Sequence, residues 1–256
     1  MSASYSTGVS ERPAEITNLE IEIARMAALV ETNLADCIAA FERRDVASAS
    51  QIIELDKRID AHHHNIELQT IKMLEIEALT TQQIRETMMM VKLAADLERV
   101  GDLTKNISRR VCVIAQERKA PNLGGVSRMG HMCLQRFSDV LNAYAARDLI
   151  AAKAVWSGDY EVDELYHSVF RELVMSMRET PDQIGSATHM VFIAKNFERI
   201  GDHATNIAEA LHFMMTGEQV DESRQKGSDT IVNFAAKEAT PIHVNAGATD
   251  PTVSSK

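Results

Sequence analysis

Apolar residues recur at three- and four-residue steps through most of the chain, the spacing that places side chains on one face of an α-helix. Six helices follow from this pattern. Ile16 to about Arg44 is the first, Val46 to about Glu77 the second, and Thr81 to about Arg118 the third. The segment Pro121-Asn122-Leu123-Gly124-Gly125 interrupts the period and marks the main internal break. A second set then runs from Val126 to Arg147, from Leu149 to Glu179 and from Asp182 to Met215, with Pro181 marking the turn before the last helix. The pattern fades at both ends. Residues 1–14 are rich in Ser and Thr and read as a flexible arm. Residues 217–256 collect Gly, Ser, Thr, Asp and Pro, with few large apolar residues, and read as a disordered tail, in which Ile231, Val232 and Phe234 could dock.

The two sets of helices are related. Residues 93–111, LAADLERVGDLTKNISRRV, align without a gap with residues 193–211, IAKNFERIGDHATNIAEAL. Ala94, Glu98, Arg99, Gly101, Asp102, Asn106 and Ile107 each meet an identical residue, and Met90 and Val91 extend the match. The middle helices align as well. Arg44-Asp45-Val46 matches Arg147-Asp148-Leu149, and the pair Asp56 and Asp60 matches Asp159 and Asp163. A repeat this long is not a solenoid unit. The expected fold is all-α: two tandem, pseudo-symmetric three-helix bundles over residues 15–118 and 126–216.

Composition agrees with helices. Hydrophobic residues make up 45% of the 256, enough for a sizeable core, while aromatics are only 5% and Met is frequent. With a net charge of −10 the chain has no bulk attraction for phosphate backbones, so nucleic acid is not an expected partner. The beginning of the chain, Met-Ser-Ala-Ser-Tyr-Ser, has no basic or apolar leader, and no run of 18 apolar residues occurs anywhere, so a cytoplasmic protein without a membrane span is expected. Cys37, Cys112 and Cys133 are odd in number and far apart, as reduced thiols packed among apolar residues would be.

The candidate chemistry lies in the duplicated acids. Glu98 and Asp102 stand one above the other on a helix face that Asn106 continues, and Glu198, Asp202 and Asn206 repeat the arrangement. Like charges at this spacing cost an isolated helix roughly 0.2–0.5 kcal/mol, a cost accepted twice in register. The main apolar stripe of the third helix passes through Met90, Leu93, Leu97, Val100, Thr104, Ile107 and Val111, and Glu98 and Asp102 lie roughly 130–170° from its centre. A partly exposed face is therefore expected. In the middle helix the stripe is Ile52, Leu55, Ile59, Ile66 and Met73, with Asp56 and Asp60 at its edge. If the middle and last helices of each unit are neighbours, two sets of four carboxylates converge: Asp56, Asp60, Glu98 and Asp102, and Asp159, Asp163, Glu198 and Asp202.

Four close carboxylates cannot all remain ionised unless cations neutralise them or their pKa values rise. Oxygen-rich sets of this kind suit Mg, Ca, Mn or Fe, singly or as multinuclear clusters, and histidine shifts the preference toward Fe, Ni or Zn. His64 and His167 occupy matching positions four residues beyond Asp60 and Asp163. The bland alternative is a solvated charged face, with Lys105 or Arg109 pairing Asp102 in the first unit. Gly101 and Gly201 precede each aspartate although a mid-helix glycine costs roughly 1 kcal/mol relative to Ala, so each serves close helix packing or leaves room over the acids.

These residues resemble the PhoU family of phosphate-signalling regulators. The resemblance covers about residues 15–216 and rests on Leu97-Glu98-Arg99-Val100-Gly101-Asp102 and on Phe197-Glu198-Arg199-Ile200-Gly201-Asp202-His203-Ala204-Thr205-Asn206, with the two aspartate pairs in the preceding helices. It implies two tandem three-helix bundles whose acidic faces carry metal clusters. It also implies a non-catalytic, cytoplasmic negative regulator that works beside the phosphate ABC transporter and its ATPase, damps a sensor histidine kinase when phosphate is ample, and so represses starvation genes. The chain departs from the family pattern at the turn before the third helix, Glu75 to Gln82, which lacks the usual Arg-Gln-Pro, and in its longer polar tail.

Other classes are weaker. No nucleophile stands with a base, and no phosphate-cradling glycine loop is present. A ferritin-like di-metal oxidase or storage protein would use Glu-x-x-His on two helices, but Glu164-Leu165-Tyr166-His167 has no duplicate because its counterpart begins with Ala61. A metal-free scaffold is the remaining alternative. Flat bundle faces make a homodimer an expectation.

Overall fold

A computed structural model describes residues 13–76, 79–117 and 121–220. Among these residues the chain forms seven α-helices: α1 (Ala14–Arg43), α2 (Val46–Leu74), α3 (Thr81–Ile114), α4 (Gly124–Ala146), α5 (Leu149–Ser157), α6 (Tyr160–Glu179) and α7 (Ile184–Thr216). A short 3-10 turn, Pro181–Gln183, leads into α7. Residues 1–12 of the expected arm, Glu77 and Arg118 at the expected helix ends, and residues 221–256 of the expected tail lie outside the described residues.

Local chemistry sets the boundaries. Arg44 ends α1 in the left-handed region (φ 52°), and its successor Asp45 caps α2 by accepting hydrogen bonds from the backbone N–H groups of Ala47 and Ser48. The second unit repeats the device: Arg147 is left-handed (φ 52°), and Asp148 accepts from Ile150 and Ala151. The matched Arg-Asp strings are thus the same helix-to-helix turn used twice. At the start of α3, Thr80 and Gln83 form a reciprocal capping box. At the far end of α7, Gly217 supplies the left-handed C-cap (φ 79°).

The expected continuous helix over Leu149–Glu179 is instead two helices, broken at Gly158 and Asp159. The cause comes from α4. The guanidinium of Arg136 reaches the end of α5, where Nη2 donates to the Val155 carbonyl, and a Cβ on Gly158 would lie 2.6 Å from Nη1. In the first unit Asn33 and Leu55 stand at the positions of Arg136 and Gly158, and α2 runs through.

Within each unit the third helix packs against the other two, α3 on α1 and α2, and α7 on α4, α5 and α6. The units are not separate bodies. The most extensive helix pairing in the molecule joins α3 to α7, and α1 also packs on α4. One apolar core runs through both units, with Phe41, Phe137 and Phe197 among its largest fully buried side chains. The crossing of α1, α4 and α7 is tight at Gly130, where a Cβ would meet Phe197 Cζ at 2.9 Å and Ile38 Cγ1 at 3.2 Å. Polar pairs cross the same seam: His203 of α7 donates through Nδ1 to Asp96 of α3, and Arg110 of α3 stacks over the Phe192 ring at 4.2 Å. Among the described residues no helix is long and apolar enough to cross a membrane.

Candidate metal-binding carboxylate faces

Each acidic face is made by the last helix of a unit and the middle helix beside it. Gly101 sets their separation in the first unit. A Cβ there would lie 3.0 Å from Ile59 Cδ1 and 3.6 Å from Asp56 Oδ1, so the missing side chain is what lets α2 approach. Gly201 does the same against Val162, at 3.3 Å. Both glycines therefore serve close helix packing, and the acids are brought together as a result.

In the first unit all four expected carboxylates share one face. Burial raises the pKa of Asp56, and Asp60 and Asp102 raise it further, while Lys105 opposes the rise. Glu98 is also raised, by burial and then by Asp102, with Arg99 and His63 acting against it and Asp60 adding to it. The partly exposed face expected from the helical angles holds for Glu98 and Asp102, while Asp60 is exposed. Asp56 differs. Expected at the edge of the apolar stripe, it is only 5% exposed, because Gly101 lets α2 pack so closely on α3 that Asp56 is covered. The Nζ of Lys105 lies 2.5 Å from Asp56 Oδ2 and 2.5 Å from Asp102 Oδ1, bridging the helices.

The second face is built differently. Burial raises the pKa of Glu198; Lys195 opposes this, and Asp202 and Asp163 add to it. These three acids face one another. Asp159, only 4% exposed, turns inward and accepts a hydrogen bond from Thr205 Oγ1 at 2.9 Å. Lys195 Nζ lies 2.5 Å from Glu198 Oε1 and 5.2 Å above the Tyr166 ring. Glu198 Oε2 is buried with no hydrogen-bond partner among the described residues, and so is His167 Nδ1. An unsatisfied buried oxygen on a carboxylate is costly.

The histidines divide. His167, four residues beyond Asp163 on α6, has a buried nitrogen, whereas its counterpart His64 is exposed, with Nδ1 3.5 Å from Glu67. His63 is the histidine whose charge acts on Glu98, and His62 pairs with Glu22 of α1 at 2.6 Å. Glu164, the other half of the Glu-x-x-His string, is exposed. As the side chains stand, no three or more His, Cys, Asp or Glu among the described residues are gathered closely enough to enclose an ion. The donor chemistry of the second face nevertheless suits one: three oxygen-bearing acids, one of them with an orphaned oxygen, with the unpartnered nitrogen of His167 one helical turn beyond Asp163 on α6.

The sequence alone points to Lys105 only as a partner for Asp102, offers His63 only as part of the run His62-His63-His64, and gives no role to Thr205, Lys195 or Tyr166. Their signal lies in the aligned repeats. Lys105 aligns with Thr205, Ala95 with Lys195, and His63 with Tyr166, so the residues that neutralise or line the acids are the ones that do not match.

Comparison with known proteins agrees with the fold and with both repeats. The PhoU domain family matches residues 23–111 and 126–211. A protein of Caulobacter vibrioides described as a phosphate-specific transport system accessory protein PhoU homolog is 40% identical over 213 residues, covering 83% of this chain and 93% of that one. A Rhizobium meliloti protein of the same description is 38% identical, over 84% of this chain and 92% of its own length. Among solved structures, PhoU from Pseudomonas aeruginosa superposes with a TM-score of 0.78 at 30% identity, covering 80% of this chain and 99% of that chain. The phosphate transport system regulatory protein PhoU from Streptococcus pneumoniae superposes with a TM-score of 0.75 at 25% identity, over 82% and 99%. With two PhoU domains matched across most of its length, this chain belongs to the PhoU family.

Proposed function

We propose that this protein is a non-catalytic accessory regulator of phosphate transport, acting in the cytoplasm as an adaptor between the phosphate ABC transporter and a sensor histidine kinase and restraining starvation signalling when phosphate is ample. Kinship with phosphate-transport accessory proteins over nearly their whole length carries the reading. The surface is consistent with an adaptor: long helical faces, some with exposed apolar side chains such as Leu68, Ile71 and Leu74 on α2, available for docking or for the expected homodimer. The test is deletion. Starvation genes are expected to be expressed in phosphate-rich medium without this protein; genes that stay silent would overturn the reading.

Metal binding belongs to the same proposal. Glu198, Asp202, Asp163 and His167 are the residues that would hold a divalent or trivalent ion such as Fe, Mn, Mg, Zn or Ni, and the orphaned Glu198 oxygen is the observation that favours it. A bound ion would add positive charge among these acids and tie α6 to α7. Elemental analysis of protein purified without chelator, with Glu198→Gln/Asp202→Asn as control, tests this part separately.

A further inference from the structure

The duplicated faces differ in what neutralises them. On the first, Lys105 is 18% exposed and its ammonium touches Asp56 Oδ2 and Asp102 Oδ1, each at 2.5 Å. These oxygens belong to both helices of the face, and a metal ion bridging α2 to α3 would compete with the ammonium for the same two carboxylates. On the second, the position of Lys105 is taken by Thr205, a neutral hydroxyl that donates to Asp159. The lysine of that face, Lys195, is 47% exposed, contacts Glu198 Oε1, and leaves Oε2 orphaned. A half-exposed lysine can leave for water at small cost, whereas one held between two acids from two helices gains little by leaving.

We propose that the first face is permanently closed to metal, with Lys105 serving as a tethered cation in place of an ion, and that metal binding by this chain is confined to the second face. The two repeats have thereby diverged into a self-neutralised unit and an ion-dependent one. This rests on the metal reading above for the second face only. The unmatched pair Lys105 and Thr205 is the change that separates them: it places a positive charge between the middle and last helices of one unit and a neutral hydrogen-bond donor between those of the other.

The test titrates the full-length, chelator-treated protein with Mn²⁺, following free Mn²⁺ by electron paramagnetic resonance. In the wild type, Glu198→Gln/Asp202→Asn is expected to abolish binding and Glu98→Gln/Asp102→Asn to leave it unchanged. Lys105→Thr, which installs the residue of the second unit, is expected to add about one further equivalent, lost again on adding Glu98→Gln/Asp102→Asn, while Lys105→Arg adds none. Loss of wild-type binding through Glu98→Gln/Asp102→Asn would overturn this inference and leave the metal reading standing. A folded Lys105→Thr protein that gains no site would likewise overturn the role of Lys105. No binding in any variant would overturn both. The wild-type comparison decides the matter even if Lys105→Thr does not fold.

Discussion

His203 and Asp96 join the two units by a side-chain hydrogen bond, Nδ1 to Oδ1 at 2.8 Å, across the α3–α7 seam. The carboxylate oxygen accepts, so the ring carries its proton on Nδ1. Pseudo-symmetry does not demand this pair: Leu103 and Asn196 stand at the matching positions. Asp96 is largely buried, and its second oxygen has no hydrogen-bond partner among the described residues, so the contact with His203 carries much of its compensation. His203→Leu should therefore destabilise the fold by about 1–3 kcal/mol. The double change with Asp96→Leu should cost less than His203→Leu alone, since no buried charge is then stranded. Urea unfolding of the four proteins of this cycle checks the coupling.

The twin Arg-Asp turns should respond oppositely to the same change. Arg44 and Arg147 both hold a left-handed conformation that glycine adopts without strain. Arg44→Gly should stabilise by up to about 1 kcal/mol, as relief of a strained C-cap predicts. Arg147 also reaches Glu20 at 2.8 Å and the buried Glu86 at 3.1 Å, across from the other unit. Arg147→Gly removes both charge-assisted contacts and should be net destabilising by roughly 1–2 kcal/mol. Thermal melts of the two variants decide it, and equal shifts would show that the ion pairs contribute nothing.

How far the sequence revealed this architecture depends on where each determinant lies. The helices were legible because their apolar period is local, and the turns at Arg44 and Arg147 because they recur in register. The break at Gly158 was not, since the apolar spacing continues through it and its cause, Arg136, arrives from another helix. The grouping of the acids was legible from duplication, and the pairing of Lys105 with Asp102 from their spacing on one helix. The burial of Asp56 was hidden because it depends on how closely α2 approaches Gly101, a distance no periodicity encodes. His64 was favoured over His63 because it matches His167 in type, whereas the three-dimensional face selects His63, whose counterpart is Tyr166.

The three cysteines should separate by reactivity. Burial pushes the Cys37 thiol up to about 12, with Ser108 acting slightly against it, and Cys133 is driven higher still by complete burial. Cys133 also donates to the Phe197 carbonyl at 3.1 Å. Thiolate, the reactive form, is thus suppressed at both. Cys112 is only partly buried. Native protein should take up maleimide at Cys112 alone, Cys112→Ser should take up none, and all three should label after denaturation. Mass spectrometry of timed samples reads this directly.

The acid that most constrains the second face should also reveal itself in pH dependence. Burial holds the Glu198 pKa above its ordinary value of 4.5, with Asp202 and Asp163 adding to the shift and Lys195 opposing it. Below 4.5 the carboxyl is protonated in both folded and unfolded chains and imposes no penalty. As pH rises from 4.5 toward the raised folded value, the unfolded chain ionises while the folded one resists, so stability is lost across that window and the penalty is constant above it. Glu198→Gln should therefore stabilise metal-free protein at pH 7, by a melting shift of roughly 2–4 °C for about 1 kcal/mol, and the gain should vanish near pH 4. In the presence of Mn²⁺ the order should invert at pH 7, because wild-type Glu198 then has an ion to meet its charge and the glutamine does not. A gain that persists unchanged at pH 4 would show that packing, rather than ionisation, governs this position.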